Sequence, residues 1–429
     1  MTKKILIAAM AALFLLPSFA PGNGLNLNGL GSRAQGMGGA FVGIANDFSA
    51  VFWNPAGAAG FSREMFGFYA TDLIPRATYR RDFPFPEDPK VDARTKDSHY
   101  LGFLAGYYRP VGSKIVIGLG IGTPSEQGTL WNGADFAGLS AGTAYDWSSR
   151  LIVFSFSPLV AVKLSEAISV GVTLNVNLGT SSLKMPAGFS SLPEIGIFDP
   201  VDLGQYEENV TGWGLGATFG ILVKPVDKLS IGLTVRTPSA IAFDGSARMS
   251  NLSIYDLPGS SDLERKITWP LWVAGGVAFR PVPRLLLSAD VHWTQWSRLD
   301  QIRTTFLDPD WVPLATAVGK DVRVLDWKDM TQMRFGAEYT LNGTTALRAG
   351  YYSDPAPGPE STLTVLLPTH TFNAFSVGAG KTVGNLQLDF GLAYLRGNTR
   401  TAELGLPDAM PGTHRLNIFV PTASASYKF

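Results

Sequence analysis

Apolar and small or polar residues alternate along this chain with a period of two, many times over. Ile168, Val170, Val172, Leu174, Val176 and Leu178 are separated by Ser169, Gly171, Thr173, Asn175, Asn177 and Gly179. Successive side chains of a strand point to opposite faces, so the pattern predicts strands with one greasy face and one small, polar face. It returns in Trp213, Leu215, Ala217, Phe219, Ile221 and Val223, set among Gly212, Gly214, Gly216, Thr218 and Gly220. Leu229 to Arg236 and Leu386 to Tyr394 read the same way.

The second face decides which environment these strands meet. In a soluble sandwich it would be water-exposed and rich in Lys, Glu and Thr; here it is rich in Gly and Ala. The chain carries 47 glycines, 11% aromatics and only 16% charged residues, a mixture suited to strands facing lipid outside and a crowded lumen inside. A strand length of about 9 to 11 residues is expected for a tilted membrane span.

Compact breakers at 109–114, 164–167, 224–228, 280–284, 341–344 and 382–385 alternate with long polar stretches such as 83–97, 186–210, 251–266 and 308–322. Six short turns and seven long loops give about fourteen strands, an even number that returns both chain ends to one side. The chain ends on Phe429 with Tyr427 two residues earlier, similar to the signal read by the barrel assembly machinery. The fold class expected is therefore all-β, a transmembrane antiparallel barrel of about fourteen strands.

The N-terminus supports export. Lys3 and Lys4 precede an apolar run from Ile5 to Leu16, and Ser18 and Ala20 hold the small positions of a cleavage site, so residues 1–20 read as a signal peptide. Pro21 makes a cut directly after Ala20 poor, which moves the cut a few residues. No later run of about 18 apolar residues follows, so a spanning structure here must be a closed barrel. Equal numbers of acidic and basic residues, 35 each, leave no global field to attract nucleic acid, and the absence of cysteine removes disulfides and thiolate sites.

Residues 21–60 do not alternate. Ten glycines lie among Leu25, Leu27, Leu30, Met37, Phe41, Phe48, Phe52 and Trp53, a segment too flexible to fold alone yet with apolar surface to bury. It is expected to pack inside the barrel formed by residues 61–429 as a hatch that plugs the lumen.

Gly36-Met-Gly-Gly-Ala40, Ala45-Asn-Asp47, Ser49-Ala50 and Phe52-Trp-Asn-Pro-Ala56 resemble the N-terminal hatch of the FadL/TodX family of outer-membrane transporters, with Asn54, Pro55 and Ala56 its most recognisable element. Gly120-Ile-Gly-Thr-Pro124 resembles that family's third-strand segment, and Leu347-Arg-Ala-Gly-Tyr351 with Asp354-Pro355 and Pro357 a late-barrel motif. The resemblance implies a hatch-plugged barrel of fourteen strands. It also implies passive diffusion of long-chain fatty acids or hydrocarbons through a pocket near the hatch, with a lateral exit at a kink in the third strand.

A greasy solute leaving a dry site for water loses about 0.8 kcal/mol per methylene, so a route for it needs successive dry sites. Phe48, Phe52 and Trp53 of the hatch are candidates to line the pocket. Trp131 and Phe136, with Leu130, Leu139, Phe189, Leu192, Ile195, Ile197 and Phe198, form either an outer capture groove or ordinary loop packing. Gly118, Gly120, Gly122 and Pro124 mark either a gate-forming kink or a plain strand end, since Pro donates nothing to the ladder and Gly weakens it. If the cargo is a fatty acid, a cation at the pocket head is expected. Arg150 is the first candidate, ahead of Arg236, Arg334 and Arg348. Each alternatively pairs with an interior acid such as Asp290, Glu338, Asp354 or Asp389, and Arg348 beside Asp354 reads as structural.

The pattern Gly138-Leu-Ser140-Ala-Gly142 matches a nucleophile elbow only in letters, lying in a glycine-rich loop. His99, His292, His370 and His414 have no metal-ligand spacing, and His292 beside Asp290 reads as a hydrogen-bonded interior residue. No enzyme, metal or cofactor is implied. The partners expected are a hydrophobic small molecule, outer-membrane lipid and lipopolysaccharide, and the barrel assembly machinery during biogenesis, with the barrel a monomer. The rival function is a general diffusion porin for polar solutes, which needs an open lumen with a charged constriction.

Overall fold

The computed structural model describes residues 24–82 and 90–429. The expected signal peptide, residues 21–23 and part of the 83–97 loop lie outside the described residues. The alternating segments form strands, in chain order Met65–Arg81, Tyr100–Val111, Ile115–Trp131, Trp147–Lys163, Ile168–Pro186, Gln205–Val226, Leu229–Arg236 continued by Ser239–Met249, Ser260–Trp269 continued by Trp272–Val282, Leu285–Thr294, Met330–Thr340, Thr345–Asp354, Phe372–Val383, Leu386–Gly397 and Gly412–Lys428. Each runs antiparallel to its neighbours in sequence. The last pairs with the first, from Met65 opposite Lys428 to Arg80 opposite Thr413. The described residues thus close into a fourteen-stranded antiparallel barrel, and closure leaves the sheet no edge.

Six connections of two to four residues lie at one end and the long loops at the other. Both barrel termini come to the short-turn end, where the Phe429 N–H donates to the Glu64 carbonyl (3.0 Å). Several strands exceed the expected 9 to 11 residues, the longest being Gln205–Val226 with 22. Roughly 11 tilted residues cross the hydrocarbon, so the sheet continues beyond the span toward the long loops. Leu174, Trp213, Phe219 and Phe390 are between 51% and 64% exposed on the outer face, while Thr173 and Thr218 beside them are buried. A closed belt of exposed large apolar side chains requires an apolar solvent.

Residues 24–60 lie inside this ring. They form the short helices Ser32–Gly36 and Ala50–Trp53 and the 3-10 turn Pro55–Gly60, joined by irregular backbone. Helices of four or five residues have no stability of their own, so the barrel wall must hold them. The small inner face of the strands now has a cause: a Cβ at Gly350 would overlap the Gly38 backbone nitrogen, and one at Gly232 the Val42 carbonyl. Backbone lies directly on backbone there, a contact that a side chain would prevent.

Polar anchors complete the attachment. One Asp290 oxygen accepts the N–H groups of Phe41 and Val42, both at 2.8 Å. Arg33 donates to both oxygens of Glu338 (2.7 and 2.8 Å), Glu338 also accepts from Arg348 (2.7 Å), and Arg348 reaches Asp389 (2.7 Å). Arg334 donates to the carbonyls of Asn28 and Gly38. Arg348 is structural as expected, but its partners are Glu338 and Asp389. Asp354 instead accepts from Asn28 and Gln332, because Arg348 lies lower on its strand, opposite Glu338.

Candidate functional site

The third strand, Ile115–Trp131, pairs with the second from Val111 opposite Ile115 up to Leu104 opposite Gly122, and there the ladder stops. On its other side the register with the fourth strand shifts between Gly122, opposite Ser155, and Ser125, opposite Val153. One extra residue is accommodated at Thr123 and Pro124, a β-bulge, and the missing N–H of proline suits the interrupted ladder. The strand then continues to Trp131, so Pro124 is not a strand end. Above Gly122 the second and third strands part. The Thr123 hydroxyl accepts the Phe103 N–H (2.9 Å) at the lower margin, and the Lys96 N–H reaches the Leu130 carbonyl (2.8 Å) at the upper one.

Two cavities meet this gap. The larger, about 200 Å³, lies above the strap formed by residues 24–29 and has mostly apolar walls, including Leu27, Leu73, Leu151, Leu183, Ile267 and Leu395. The smaller, about 80 Å³, lies against the bulge and is lined by Gly120, Gly122, Pro124, Phe52, Trp272 and Arg236 among others. Asn26 belongs to both linings. Gly118 lies outside both cavities and makes room for the Tyr108 ring.

Arg150 lines the larger cavity, stacks over Tyr100 and pairs with buried Glu126 at 2.8 Å. Two further cations share that lining and were not singled out by sequence: Arg265, paired with Glu208 at 2.5 Å, and Arg323. Arg323 stands on the loop strand Val322–Val324 and makes no ion pair among the described residues. Its loop has no period that would aim it inward, so no sequence signal was available.

The aromatic candidates separate. Phe52 lines the smaller cavity, whereas Trp53 is buried with its indole N–H on the Leu30 carbonyl (2.8 Å), and Phe48 packs on Gly67. Trp131 and Phe136 form no open groove. Their rings meet edge to face at 5.6 Å, Phe136 also stacks on Trp147 at 4.7 Å, and both are buried. The apolar residues that do face outward on these loops are Leu130, Phe189, Ile195 and Phe198.

Asn54, Pro55 and Ala56 act as one clamp. The Asn54 amide donates to the Val42 and Ile221 carbonyls (3.0 Å each), its oxygen accepts the Ala56 N–H (3.1 Å), and Pro55 opens the 3-10 turn. Gly171 and Gly220 of the wall lie so close that a Cβ on either would overlap this tripeptide. His292 is buried between the Trp53 and Trp272 rings. Ser140 is buried behind the turn Gly133–Leu139, with no strand leading into it.

The sequence matches the family described as outer membrane protein transport protein (OMPP1/FadL/TodX) over residues 13–429. It is 22% identical to outer membrane protein P1 of Haemophilus influenzae over 326 residues, 68% of this chain and 65% of that relative. The match thus spans just under two thirds of that protein's length. The fold is similar to a Pseudomonas aeruginosa FadL homologue, with a TM-score of 0.76, 15% identity and coverage of 95% of this chain and 100% of the other. It is also similar to the toluene transporters TbuX of Ralstonia pickettii and TodX of P. putida, each at TM-score 0.70 and 17% identity over 94% of this chain and 99% of theirs. With an apolar outer belt, a closed barrel and a family match over nearly its whole length, the chain belongs to the OMPP1/FadL/TodX family of transport proteins and is a β-barrel of the bacterial outer membrane.

Proposed function

We propose that this protein carries hydrophobic small molecules, long-chain fatty acids or hydrocarbons, across the outer membrane by passive diffusion through a plugged barrel with a side exit at the third strand. The observation that carries this reading is the interrupted ladder above Gly122, which lies beside a cavity while residues 24–60 occupy the lumen as a hatch. Cargo enters from the long-loop end, where Phe189, Ile195 and Phe198 offer apolar surface, and settles in the larger cavity. Arg150, Arg265 and Arg323 stand there to meet a polar head. It then passes Asn26 to the smaller cavity and leaves between the second and third strands into the bilayer. Both cavities present apolar side chains along the way, so the solute keeps much of its burial as it moves.

The hatch distinguishes this reading from a general diffusion porin, which needs a continuous aqueous lumen. The strands' outer belt contacts outer-membrane lipid and lipopolysaccharide, the C-terminal Tyr427 and Phe429 serve recognition by the barrel assembly machinery, and the closed barrel functions as a monomer.

Deleting Pro124 tests the exit. Without the extra residue the bulge is lost and the third strand can pair regularly past Gly122. Uptake of labelled oleate and dodecane by whole cells is expected to fall to background while the barrel still assembles as a heat-modifiable species. Unchanged uptake through the straightened strand would overturn the lateral route and favour a path through the hatch.

A further inference from the structure

The outer face of the wall changes character along the seam where the first and last strands close the barrel. Near the short turns Tyr107, Phe66 and Tyr427 lie side by side across three strands. Further up, Phe419 stands between Ile74 and Tyr394, so aromatic rows mark both margins of the apolar belt there. The next outward positions are Arg76, Asn417 and Arg396, and above them come Arg94, Thr78 and Arg415. Arg80 follows, beside Asp92 and Thr413. The rise from Tyr427 to Arg415 is about 28 Å, at roughly 3.3 Å a residue and a strand tilt of about 45°. An apolar band is about 25 Å tall, so these arginines stand at the level of the head groups on the long-loop side.

Register gathers them into one cluster. Arg76 and Arg80 flank Thr78 along the first strand, and Arg94 and Arg415 flank it across the two neighbouring strands. All four, and Arg396, are exposed. Arg80 pairs with Asp92 at 3.0 Å, whereas Arg76, Arg94, Arg396 and Arg415 make no ion pair among the described residues. A groove of about 610 Å³ runs through the cluster, its lining including Arg80, Arg94, Arg415 and Thr413, with Asp82 and Asp92 as its acids. Like charges gathered in this way repel one another, a cost that an anion among them removes. The excess of positive charge is not a general property of the rim. On the seventh and eighth strands Asp244 stands beside Glu264 and Ser246 beside Asp262, with Arg248 and Lys266 among these acids.

From this we infer that the closing seam carries a binding site for the phosphorylated head group of one lipopolysaccharide molecule, whose acyl chains run down the belt over Ile74, Phe419 and Tyr394. Arginine suits the task, because its planar fork meets phosphate oxygens in pairs. Arg94 and Arg415 stand two strands apart, about 10 Å between Cα atoms, which lets the cluster engage two phosphates of one head group. Arg76 and Arg396, one row lower, lay their stems along the apolar margin and lift their charges toward the same level. The long-loop end faces the outer leaflet, and lipopolysaccharide is the phosphate-bearing lipid of that leaflet. The inference rests on the lipid contact of the reading above, not on the transport route, and replaces a general contact by one fixed site.

The test titrates the purified full-length barrel in detergent with lipid A bearing its phosphates and with the fully dephosphorylated lipid, and reads bound lipid by native mass spectrometry. The phosphorylated form is expected to bind at least about tenfold more tightly, the value of one charge-assisted pair. Replacing Arg94→Gln and Arg415→Gln together is expected to lower its binding by about the same factor or more, and Arg248→Gln on the seventh strand to leave it unchanged. Wild-type binding strength in the double variant, or an equal loss in Arg248→Gln, overturns the site and leaves the general lipid contact standing. Should the double variant not assemble, the wild-type protein still decides, since equal binding of the two lipids overturns the site. Displacement of lipid A by an equimolar amount of inorganic phosphate marks a free-anion site and overturns the lipid assignment. No binding of either lipid overturns both the site and the lipid contact. Cargo takes no part in these measurements, so the transport reading stands or falls on the uptake experiment alone.

Discussion

The backbone N–H of Leu27 donates to the carbonyl of Pro124 at 3.0 Å. Through this bond the strap dividing the two cavities is tied to the bulge that interrupts the barrel wall. Pro124 cannot donate, but its carbonyl, freed from the strand ladder, is available to the interior segment.

That tie gives the first prediction. Leu27→Pro deletes the donor and is expected to speed amide exchange across residues 24–30 by about fivefold, consistent with a net hydrogen-bond value near 1 kcal/mol. The barrel strands should exchange as before. Exchange in the strap at the wild-type rate would show that side-chain packing alone holds it.

Asp290 is the second test. Its carboxylate receives both the Phe41 and Val42 N–H groups inside the barrel, so Asp290→Ala leaves two buried donors unmet, at about 1 to 3 kcal/mol each. The hatch should loosen while the strand ladder persists. Single-channel conductance in planar bilayers is expected to rise, and deletion of residues 24–60 to raise it much further. Conductance at the wild-type level in the deletion would refute the plug.

The buried chain Arg33–Glu338–Arg348–Asp389 should matter to stability far more than a surface pair. Glu338→Ala takes the carboxylate partner from Arg33 and leaves Arg348 with Asp389 alone, and is expected to cost about 3 to 5 kcal/mol in urea unfolding of the purified barrel. Arg80→Ala breaks only the exposed contact with Asp92 and is expected to leave the unfolding midpoint in place.

His370 predicts a pH response of the loop before the twelfth strand. Burial, with help from Arg400 and His414, pushes its pKa down to about 4, while its Nδ1 lies 3.0 Å from the Asn398 carbonyl. Between that value and the usual 6.5 the opened loop binds a proton that the closed loop refuses, so closure weakens as pH falls through this window. The full loss reaches about 3 kcal/mol at the acid end. Protection factors across 355–371, taken relative to the intrinsic exchange rate at each pH, should fall from pH 7 to pH 4.5, and His370→Gln should flatten that profile.

The barrel was legible in the chain because each strand carries its own label: alternation needs only neighbours in sequence, and the six short turns are marked by local breakers. The Gly-rich inner face and the apolar, aperiodic residues before the first strand also pointed to something packed within. What remained open depended on pairings between distant residues, such as Arg33 with Glu338, 305 positions apart. Arg150, Arg236, Arg334 and Arg348 look alike in sequence, and only closure of the sheet set Glu126 against Arg150, Glu338 and Asp389 against Arg348, and, among the described residues, no acid against Arg236. Trp131 and Phe136 have the composition of a capture groove, yet the folded loops turn these rings onto each other. Pro124 announced an interruption, but whether it ended the strand or bulged it was decided by the fourth strand, whose register continues past the extra residue. Local periodicity thus specified the wall, while the placement of charges and gaps within it waited on which distant segments the closed barrel brought together.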